Sequence, residues 1–518
     1  MENLFHKIAT KGLFSRSVIA FVFGALAGLA FEPFGLIPLL WLSFPALFFL
    51  LQGAKAPREA FTLGWSFAFG FLIICLHWIA GALFVEIKSF WWAVPLAVLG
   101  LPAFFALYYG VAALAARRFG LSRGVDVFFF ALTLFLAEMA RAHLLTGFPW
   151  DLMGYVWADT LPVLQSVSLI GVEGLTLLTI MLACLPALFF VKVSRKTAVA
   201  ALVVGGLLLV GGAMWGHQRL AQAPQDVEEG VRLRLVQPNL PQSLKWKPEH
   251  RFVNFQNLMR LTFETKSEKP PTHIIWPETA TSYYLAEEPI MRQRIAEMMP
   301  QDGVLLTGVV RRAETENPDA PHYYNSLIAM DDKGTVIAGY DKHHLVPFGE
   351  YMPLRAVIPF RVVTALGTDF SAGEGVRTVR APGLPPFSPL VCYEAIFSGA
   401  VAEAQDRPRF LLNVTNDAWY KGTIGPAQHF MITRVRAVEE GMPLVRIANG
   451  GVTGVVDSYG RIIAVIDADQ EGILDAALPK TAVRTTPVSI FGTAPVWLMF
   501  STVLILLLLS KFFTRMNT

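Results

Sequence analysis

Runs of apolar residues long enough for a helix recur eight times along the chain, near 17–31, 35–52, 61–84, 92–116, 125–142, 166–191, 197–215 and 493–510. A helix needs about 20 apolar residues to cross the hydrocarbon core of a bilayer, so the pattern predicts eight transmembrane helices. The first run is short, but Gly24, Ala25 and Gly28 give it the small-residue face that lets helices approach closely in lipid. It does not read as a cleaved leader, because Phe31-Glu32-Pro33-Phe34 is a poor cleavage site and a second run follows at once. Between 222 and 486 the pattern changes to short β-rich runs alternating with polar segments of helix length. Strands are predicted at Val231–Gln237, His273–Trp276, Gly303–Val310, Asn325–Met330, Leu390–Tyr393, Phe410–Val414, Leu444–Ala448, Gly454–Asp457 and Arg461–Ile466, and helices at 248–266, 288–299, 397–405 and 427–440. Strands in excess of helices, with both interleaved, predict a layered α/β or α+β domain.

Charge sharpens the same division. Residues 1–221 hold only 23 charged side chains, whereas residues 222–486 hold 58 and carry a net charge of −4. The organisation expected is a membrane bundle over 1–221, a globular domain over 222–486, and a last transmembrane helix and tail over 487–518. For the whole 518-residue chain, 54% hydrophobic and 16% charged residues exclude a wholly soluble or disordered protein. A net charge of +3 gives no reason to expect nucleic acid. Three cysteines cannot build a disulfide framework.

Basic residues set the orientation. Lys7, Lys11, Arg16, Lys55, Arg58, Arg117, Arg118, Arg123, Lys192, Arg195, Lys196, Lys511 and Arg515 fall at one set of span ends, while only Lys88, Arg141 and Arg219 fall at the other. Both termini are therefore expected in the cytoplasm. Seven spans then place the 222–486 domain outside, in the periplasm if the source is a bacterium.

Three segments of that domain end a β-like run with a reactive side chain in a turn: His273-Ile274-Ile275-Trp276-Pro277-Glu278, Tyr340-Asp341-Lys342 leading to Gly349-Glu350, and Leu390-Val391-Cys392-Tyr393-Glu394. Cys392 at a strand-to-helix turn is expected to feel a helix dipole that favours thiolate. Glu278 can take its proton and Lys342 can supply positive charge for an oxyanion. Taken singly, each has a plainer reading: a packed cysteine, a surface carboxylate, a solvated turn lysine. No Gly-rich phosphate loop and no paired Cys/His metal spacing is present, so neither a cofactor nor a metal is expected.

The order Glu278, Lys342, Cys392, each in its own context, resembles the nitrilase (carbon–nitrogen hydrolase) superfamily. That resemblance implies an α-β-β-α sandwich, with Glu278, Lys342 and Cys392 catalytic and Glu350, Tyr393 and Glu394 in support. With the spans attached, the whole chain resembles the apolipoprotein N-acyltransferases. Further segments of that pattern are Thr146-Gly147-Phe148-Pro149-Trp150, the run from Gln237 to Trp246, Asn416-Asp417-Ala418-Trp419-Tyr420, and Gly425-Pro426-Ala427-Gln428-His429. The lysine segment departs from the common Asn-Lys-Asn-His form, reading Asp341-Lys342-His343-His344, which bears on local pKa values.

The resemblance implies ping-pong transfer through a Cys392 thioester. The donor is the sn-1 ester of phosphatidylethanolamine, the acceptor is the N-terminal cysteine amine of a diacylglyceryl lipoprotein, and the site is the bacterial inner membrane. Gly147, Trp150, Trp246, Asn416 and Trp419 are the expected lipid or substrate contacts, with Lys245 and Lys247 placed to meet phosphate beside Trp246. The tryptophans also read as an ordinary aromatic belt. Glu138 and Arg141, one helical turn apart, read as a structural pair or a headgroup contact. Two competing functions are a membrane-tethered amidase that passes its acyl group to water, and a transporter with an outer sensory domain. Against transport, Glu173 is the one acidic residue well inside a run.

Overall fold

The computed structural model describes residues 11–265, 267–314, 321–353, 355 and 368–516; Lys7 and Lys266, and the side chain of Arg515, lie outside the described residues. The chain divides into two compact units, Met1–Ala80 with Phe90–Ala221 and Phe491–Thr518, and Gly81–Ser89 with Gln222–Ile490.

In the helical unit every expected run is helical. Among the described residues five helical segments are long and apolar enough to cross a membrane: Pro57–Phe84, Ile87–Phe119, Val167–Phe190, Arg195–Ala221 and Ala494–Phe513. Leu13–Gly28 has 16 residues, about 24 Å of helix at 1.5 Å per residue, and Ile37–Gln52 is likewise short. Gly124–His143 has the length but carries Asp126, Glu138 and Arg141. The expected number of eight spans is therefore not reached by length and apolarity alone.

Glycine sets the helix packing. A Cβ on Gly24 would lie 1.8 Å from the Phe67 carbonyl oxygen, and one on Gly70 would lie 2.1 Å from that of Phe21. The Leu13–Gly28 and Pro57–Leu76 helices thus touch backbone to backbone, the close approach that small residues allow in lipid. Glu138 and Arg141 form a fully buried ion pair at 3.1 Å. Arg141 also donates to the carbonyls of Phe148, at 2.9 Å, and Trp150. That resolves the pair as structural: it pins the loop after its helix.

In the sheet unit the strands pair into two sheets. Six strands, β1 (Val227–Gln237), β2 (His273–Trp276), β3 (Val304–Ala313), β4 (His322–Asp331), β5 (Val336–Asp341) and β11 (Gly472–Pro479), form one sheet in the order β11-β1-β2-β3-β4-β5. The other sheet runs β10-β9-β8-β7-β6, made from β6 (Phe387–Val391), β7 (Phe410–Asn416), β8 (Leu444–Asn449), β9 (Thr453–Val456) and β10 (Ile462–Ile466). β1, β2 and β3 are mutually parallel, as are β6, β7 and β8, and the outer strands add antiparallel.

Leu233, Leu235 and Leu306 meet Phe410, Leu412 and Val445 in the core between the sheets. Their neighbours Val236, Ile274 and Leu305 point to the opposite face, against Phe255 and Leu258 of the Arg251–Phe263 helix and Ile295 of the Pro289–Ala296 helix. This period of two, with both faces buried, is what a covered parallel sheet requires. The Gly425–Glu440 helix packs on the five-stranded sheet, so the unit is layered α-β-β-α.

Two expectations change here. β5 and β11 were not among the predicted strands; each is only partly buried, and its apolar alternation is correspondingly weak. No helix forms over 397–405, where Gly399 adopts φ +73° and the chain turns instead.

Candidate active site

Each reactive side chain sits just past the carboxyl end of a strand. β2 stops because Pro277 has no N–H to continue the ladder, and the turn behind it is tight: Thr279 takes φ +43°. Only glycine at 308 lets β3 pass, since a Cβ there would lie 2.5 Å from the Glu278 Cα and 2.7 Å from the Thr279 nitrogen. The Gly308 amide donates to the Pro277 carbonyl and the Ala280 amide to that of Gly308. Glu278 is thereby fixed, 7% exposed.

Lys342 follows β5 and is 1% exposed. Its ammonium pairs with the Glu350 carboxylate at 2.8 Å. The Asn325 amide in β4 bridges the two acids, donating to Glu278 at 2.6 Å and to Glu350 at 2.8 Å. The Val346 amide donates to the other Glu350 oxygen. Glu278, Lys342 and Glu350 therefore belong to one buried network through Asn325.

Cys392 opens a five-residue 3₁₀ turn, Cys392–Ile396, and adopts φ +53°. A left-handed non-glycine residue costs about 1–3 kcal/mol and persists only where its surroundings impose it. Here Glu394 imposes it, accepting from the Val391 amide at 2.7 Å with one oxygen and from Tyr340 Oη and the His343 and His344 amides with the other. His343 pairs with the same carboxylate at 2.6 Å. Burial works to raise the Glu394 pKa, but His343, Lys342 and the Val391 N–H outweigh it and hold the carboxyl below its usual range. The Glu394 carboxylate thus ties the lysine loop to the Cys392 turn. Tyr393 is buried, its ring edge-on to Phe397 at 5.1 Å and to His344 at 5.6 Å.

The electrostatics differ from the thiolate expected at a helix start. Burial, and then the Glu278 charge, push the Cys392 thiol well above its ordinary pKa, with Lys342 opposing. A single 3₁₀ turn is too short to build the dipole that a full helix offers. Burial also raises the Glu278 carboxyl, as does Glu350, against Lys342, Asn325 and Lys245. Burial disfavours the Lys342 ammonium, yet the charges of Glu350, Cys392 and Glu278 overcome it and hold the pKa above the ordinary value. The resting arrangement is a protonated thiol, a carboxylate of raised basicity and a fixed cation. Such a set can move the thiol proton to the carboxylate as the sulfur attacks, and can hold negative charge on an attacked carbonyl.

Below Cys392 lies a layer whose contacts the sequence does not show, although Asp417 and His429 fall in segments of the family pattern. His429 Nε2 contacts the Cys392 carbonyl at 3.3 Å, and its Nδ1 contacts Asp417 at 3.0 Å. Arg446 pairs with Asp417 at 2.7 Å. Asn413 donates to the carbonyls of Leu390 and Cys392. For Asn325, Asn413 and Arg446 the signal available was a polar residue inside the apolar run of a strand.

Other expected contacts fall elsewhere. Asn416 is buried and clamps the 237–246 loop, donating to Gln242 at 2.8 Å and accepting from Asn449 at 2.9 Å, which makes it scaffold rather than a lipid contact. Trp150 is 3% exposed, its ring 4.7 Å from that of Trp78 and stacked with Phe148. It belongs to the interior of the helical unit, not to an aromatic belt. Gly147 takes φ +73° in the loop before it. Trp246 and Trp419 are half-buried. Lys247 is exposed, but Lys245 is 1% exposed and cannot meet a phosphate from solvent: its ammonium donates inward, to the Glu278 carbonyl at 3.2 Å and Thr279 Oγ1 at 2.7 Å. Among the described residues no group of three or more His, Cys, Asp or Glu could hold a metal ion.

Comparison with known proteins bears on the chain from end to end. The family described as apolipoprotein N-acyltransferase N-terminal domain matches residues 23–185, and that described as carbon-nitrogen hydrolase matches residues 232–488. The apolipoprotein N-acyltransferase of Rhodopseudomonas palustris is 37% identical over 513 residues, covering 96% of this chain and 95% of its own. That of Brucella melitensis is 39% identical over 513 residues, covering 95% and 94%. That of Rhizobium rhizogenes is 36% identical over 537 residues, covering 100% of both.

Proposed function

The chain belongs to the apolipoprotein N-acyltransferase family, and from that premise we propose that it moves an acyl chain from a membrane phospholipid to the N-terminal cysteine amine of a diacylglyceryl lipoprotein. The observation that carries the reading is the set of buried Glu278 and Lys342 around half-buried Cys392, which stands on a strained turn under the charge of the other two.

In the first half-reaction Glu278 takes the thiol proton while Cys392 attacks the sn-1 ester carbonyl of phosphatidylethanolamine. Lys342 faces the oxyanion. The C–O bond breaks, Glu278 returns its proton to the leaving oxygen, and a lysophospholipid departs. In the second half-reaction the lipoprotein amine attacks the thioester carbonyl and gives up a proton to Glu278. The C–S bond then breaks, the amide is released, and the thiolate is reprotonated. Glu350 and Asn325 orient Lys342 and Glu278, while Tyr393 and Glu394 shape the nucleophile's turn. This sequence is ping-pong, and the side chains present supply each proton without a cofactor.

Both substrates are anchored in lipid, and extraction costs about 0.8 kcal/mol per CH₂, which is why such chemistry belongs at a bilayer. We place eight crossings in the inner membrane, with both termini cytoplasmic and the sheet unit on the periplasmic side. The basic residues at one set of span ends support this. Trp246 and Trp419, half-buried in the sheet unit, are the proposed acyl contacts; Gly147 shapes the loop of Trp150.

The test is intact-protein mass spectrometry of the detergent-purified enzyme with phosphatidylethanolamine, using Cys392→Ser as control. A one-acyl mass gain on the wild type alone, discharged by a diacylated lipopeptide and only slowly by water, is expected. Discharge to water alone would identify a hydrolase, and no adduct with any phospholipid would remove the lipid-donor assignment.

A further inference from the structure

Lys245 is a buried cation outside the expected catalytic set. It ends the short Gln242–Lys245 helix, in a loop held from three directions. Leu240 exchanges hydrogen bonds with the Asn449 side chain. Gln242 accepts from Asn416 at 2.8 Å. Lys245 reaches across to the Glu278 carbonyl and the Thr279 hydroxyl, while the Ser282 hydroxyl donates back to the Lys245 carbonyl. The next residue is Trp246.

Burying an ammonium costs several kcal/mol even when it is hydrogen-bonded, and a neutral donor would bridge the same two oxygens without that cost. What a neutral donor lacks is the charge beside Glu278. The ionisable groups that face Glu278 are Lys342 and Glu350 from the lysine loop, Lys245, Cys392, Tyr420 and Arg446. Lys342 is already engaged by Glu350 at 2.8 Å. Lys245, by contrast, is bonded directly to the turn that carries Glu278.

Resting on the reading of Glu278 as the general base, we propose that Lys245 is a positioning residue that locks the Glu278 turn to the loop bearing Trp246 and sets the basicity of the Glu278 carboxylate. Burial, opposed by the Glu278 charge, brings the Lys245 ammonium down to about 8, as a desolvated lysine beside one acid should be. Lys245 lowers the Glu278 pKa, so removing its charge raises it, and the acid limb of the reaction moves to higher pH.

The experiment compares the wild type with Lys245→Met in the full-length enzyme, by two readouts across pH. One is single-turnover acylation of Cys392 by phosphatidylethanolamine. The other is alkylation by iodoacetamide, which needs no lipid and reports Cys392 because Cys75 and Cys184 are buried. Acylation is expected to slow about 30-fold, a part of what a general base contributes. Both acid limbs should move up by about one pH unit, as for loss of one adjacent opposite charge, with KM for lipid unchanged. Acylation at the wild-type rate overturns the proposal, and so does a slower reaction with unmoved limbs, which marks a merely structural lysine. If Lys245→Met does not fold, Thr279→Val removes the hydroxyl partner alone and should slow acylation about 5-fold, in line with the net worth of one hydrogen bond; no effect overturns the proposal. A wild type that never acylates defeats the function proposed above, while the alkylation limbs still decide the role of Lys245.

Discussion

Glu350→Gln separates the chemistry of the site from its folding. The Glu350 carboxylate meets the Lys342 ammonium at 2.8 Å, with the side chains 10% and 1% exposed. It also accepts from Asn325 and Val346. Glutamine keeps the shape and can keep one of those acceptor contacts, but it loses the charge. At an effective dielectric near 20, a unit pair about 4 Å apart interacts by roughly 4 kcal/mol, and Gln recovers only the hydrogen-bonding part. Removing one partner of a buried pair destabilises by about 3–5 kcal/mol, at the edge of what a margin of about 5–15 kcal/mol tolerates, so the variant is expected to fold with a lowered Tm.

Activity should fall further than stability. Lys342 without its anchor no longer points at one place, and a displacement of about 1 Å in a positioned group costs about 100-fold in rate. The second signature concerns Glu278. Glu350 is one of the charges that raise the Glu278 carboxyl, so its neutralisation lowers that pKa and moves the acid limb to lower pH, opposite to the shift expected for Lys245→Met. Single-turnover acylation of Cys392 by phosphatidylethanolamine, followed by intact mass from acid to neutral pH, reads both. Wild-type acylation by a folded Glu350→Gln enzyme would refute the reasoning, as would an acid limb that moved upward.

In the wild type, acylation needs Glu278 ionised while burial and Glu350 raise its pKa, so the rate should fall as pH drops through a value above that of an exposed glutamate; a pH–rate profile with its limb at or below the ordinary range contradicts this. Gly308→Ala places a Cβ 2.5 Å from the Glu278 Cα, so acylation should fall by about 100-fold or more while circular dichroism stays near wild type. Unchanged acylation would show that the turn gives way freely. Asp417 is opposed by burial but held down at about 2 by Arg446 and His429. Its folded pKa lies below the unfolded value, so its stabilisation is present above about 4 and is lost as pH falls towards 2, worth roughly 2 kcal/mol at 1.36 kcal/mol per unit. Asp417→Asn should lower Tm at pH 7 and flatten its decline over that acid window; an equal decline in both proteins rules the contribution out.

What could be read from the sequence was whatever a local pattern writes down. The eight apolar runs became helices, His273–Trp276 was read to the residue, and Glu278, Lys342 and Cys392 each follow a β-like run as read, although the strand expected over Leu390–Tyr393 is β6 at Phe387–Val391. Patterns that need a partner were not legible. β5 and β11 pair at the sheet edges and show little alternation of their own. Lys245 looks, in sequence, like one of two lysines flanking a tryptophan; only the approach of the Glu278 turn from another strand shows that it points inward while Lys247 points out. Asn416 has the same history, since its clamp on Gln242 joins residues 174 apart in sequence.

The thiol was misjudged for a related reason. A strand followed by Ala395-Ile396-Phe397 reads as a helix start, and a helix start argues for thiolate. Glu394 closes the turn after one revolution by drawing four donors from β5, the lysine loop and β6 onto its two oxygens, and Gly399 then turns the chain away. The chemistry consequently moves from the nucleophile to its base. In the proposed mechanism a thiol held protonated by burial reacts only when Glu278 is ready to receive its proton, so the groups that set Glu278, namely Lys342, Glu350, Asn325 and Lys245, would govern when Cys392 attacks. Side chains behind the base should therefore affect the acylation rate more than side chains behind the sulfur do, which is the order in which Glu350→Gln, Lys245→Met and Asp417→Asn are expected to fall.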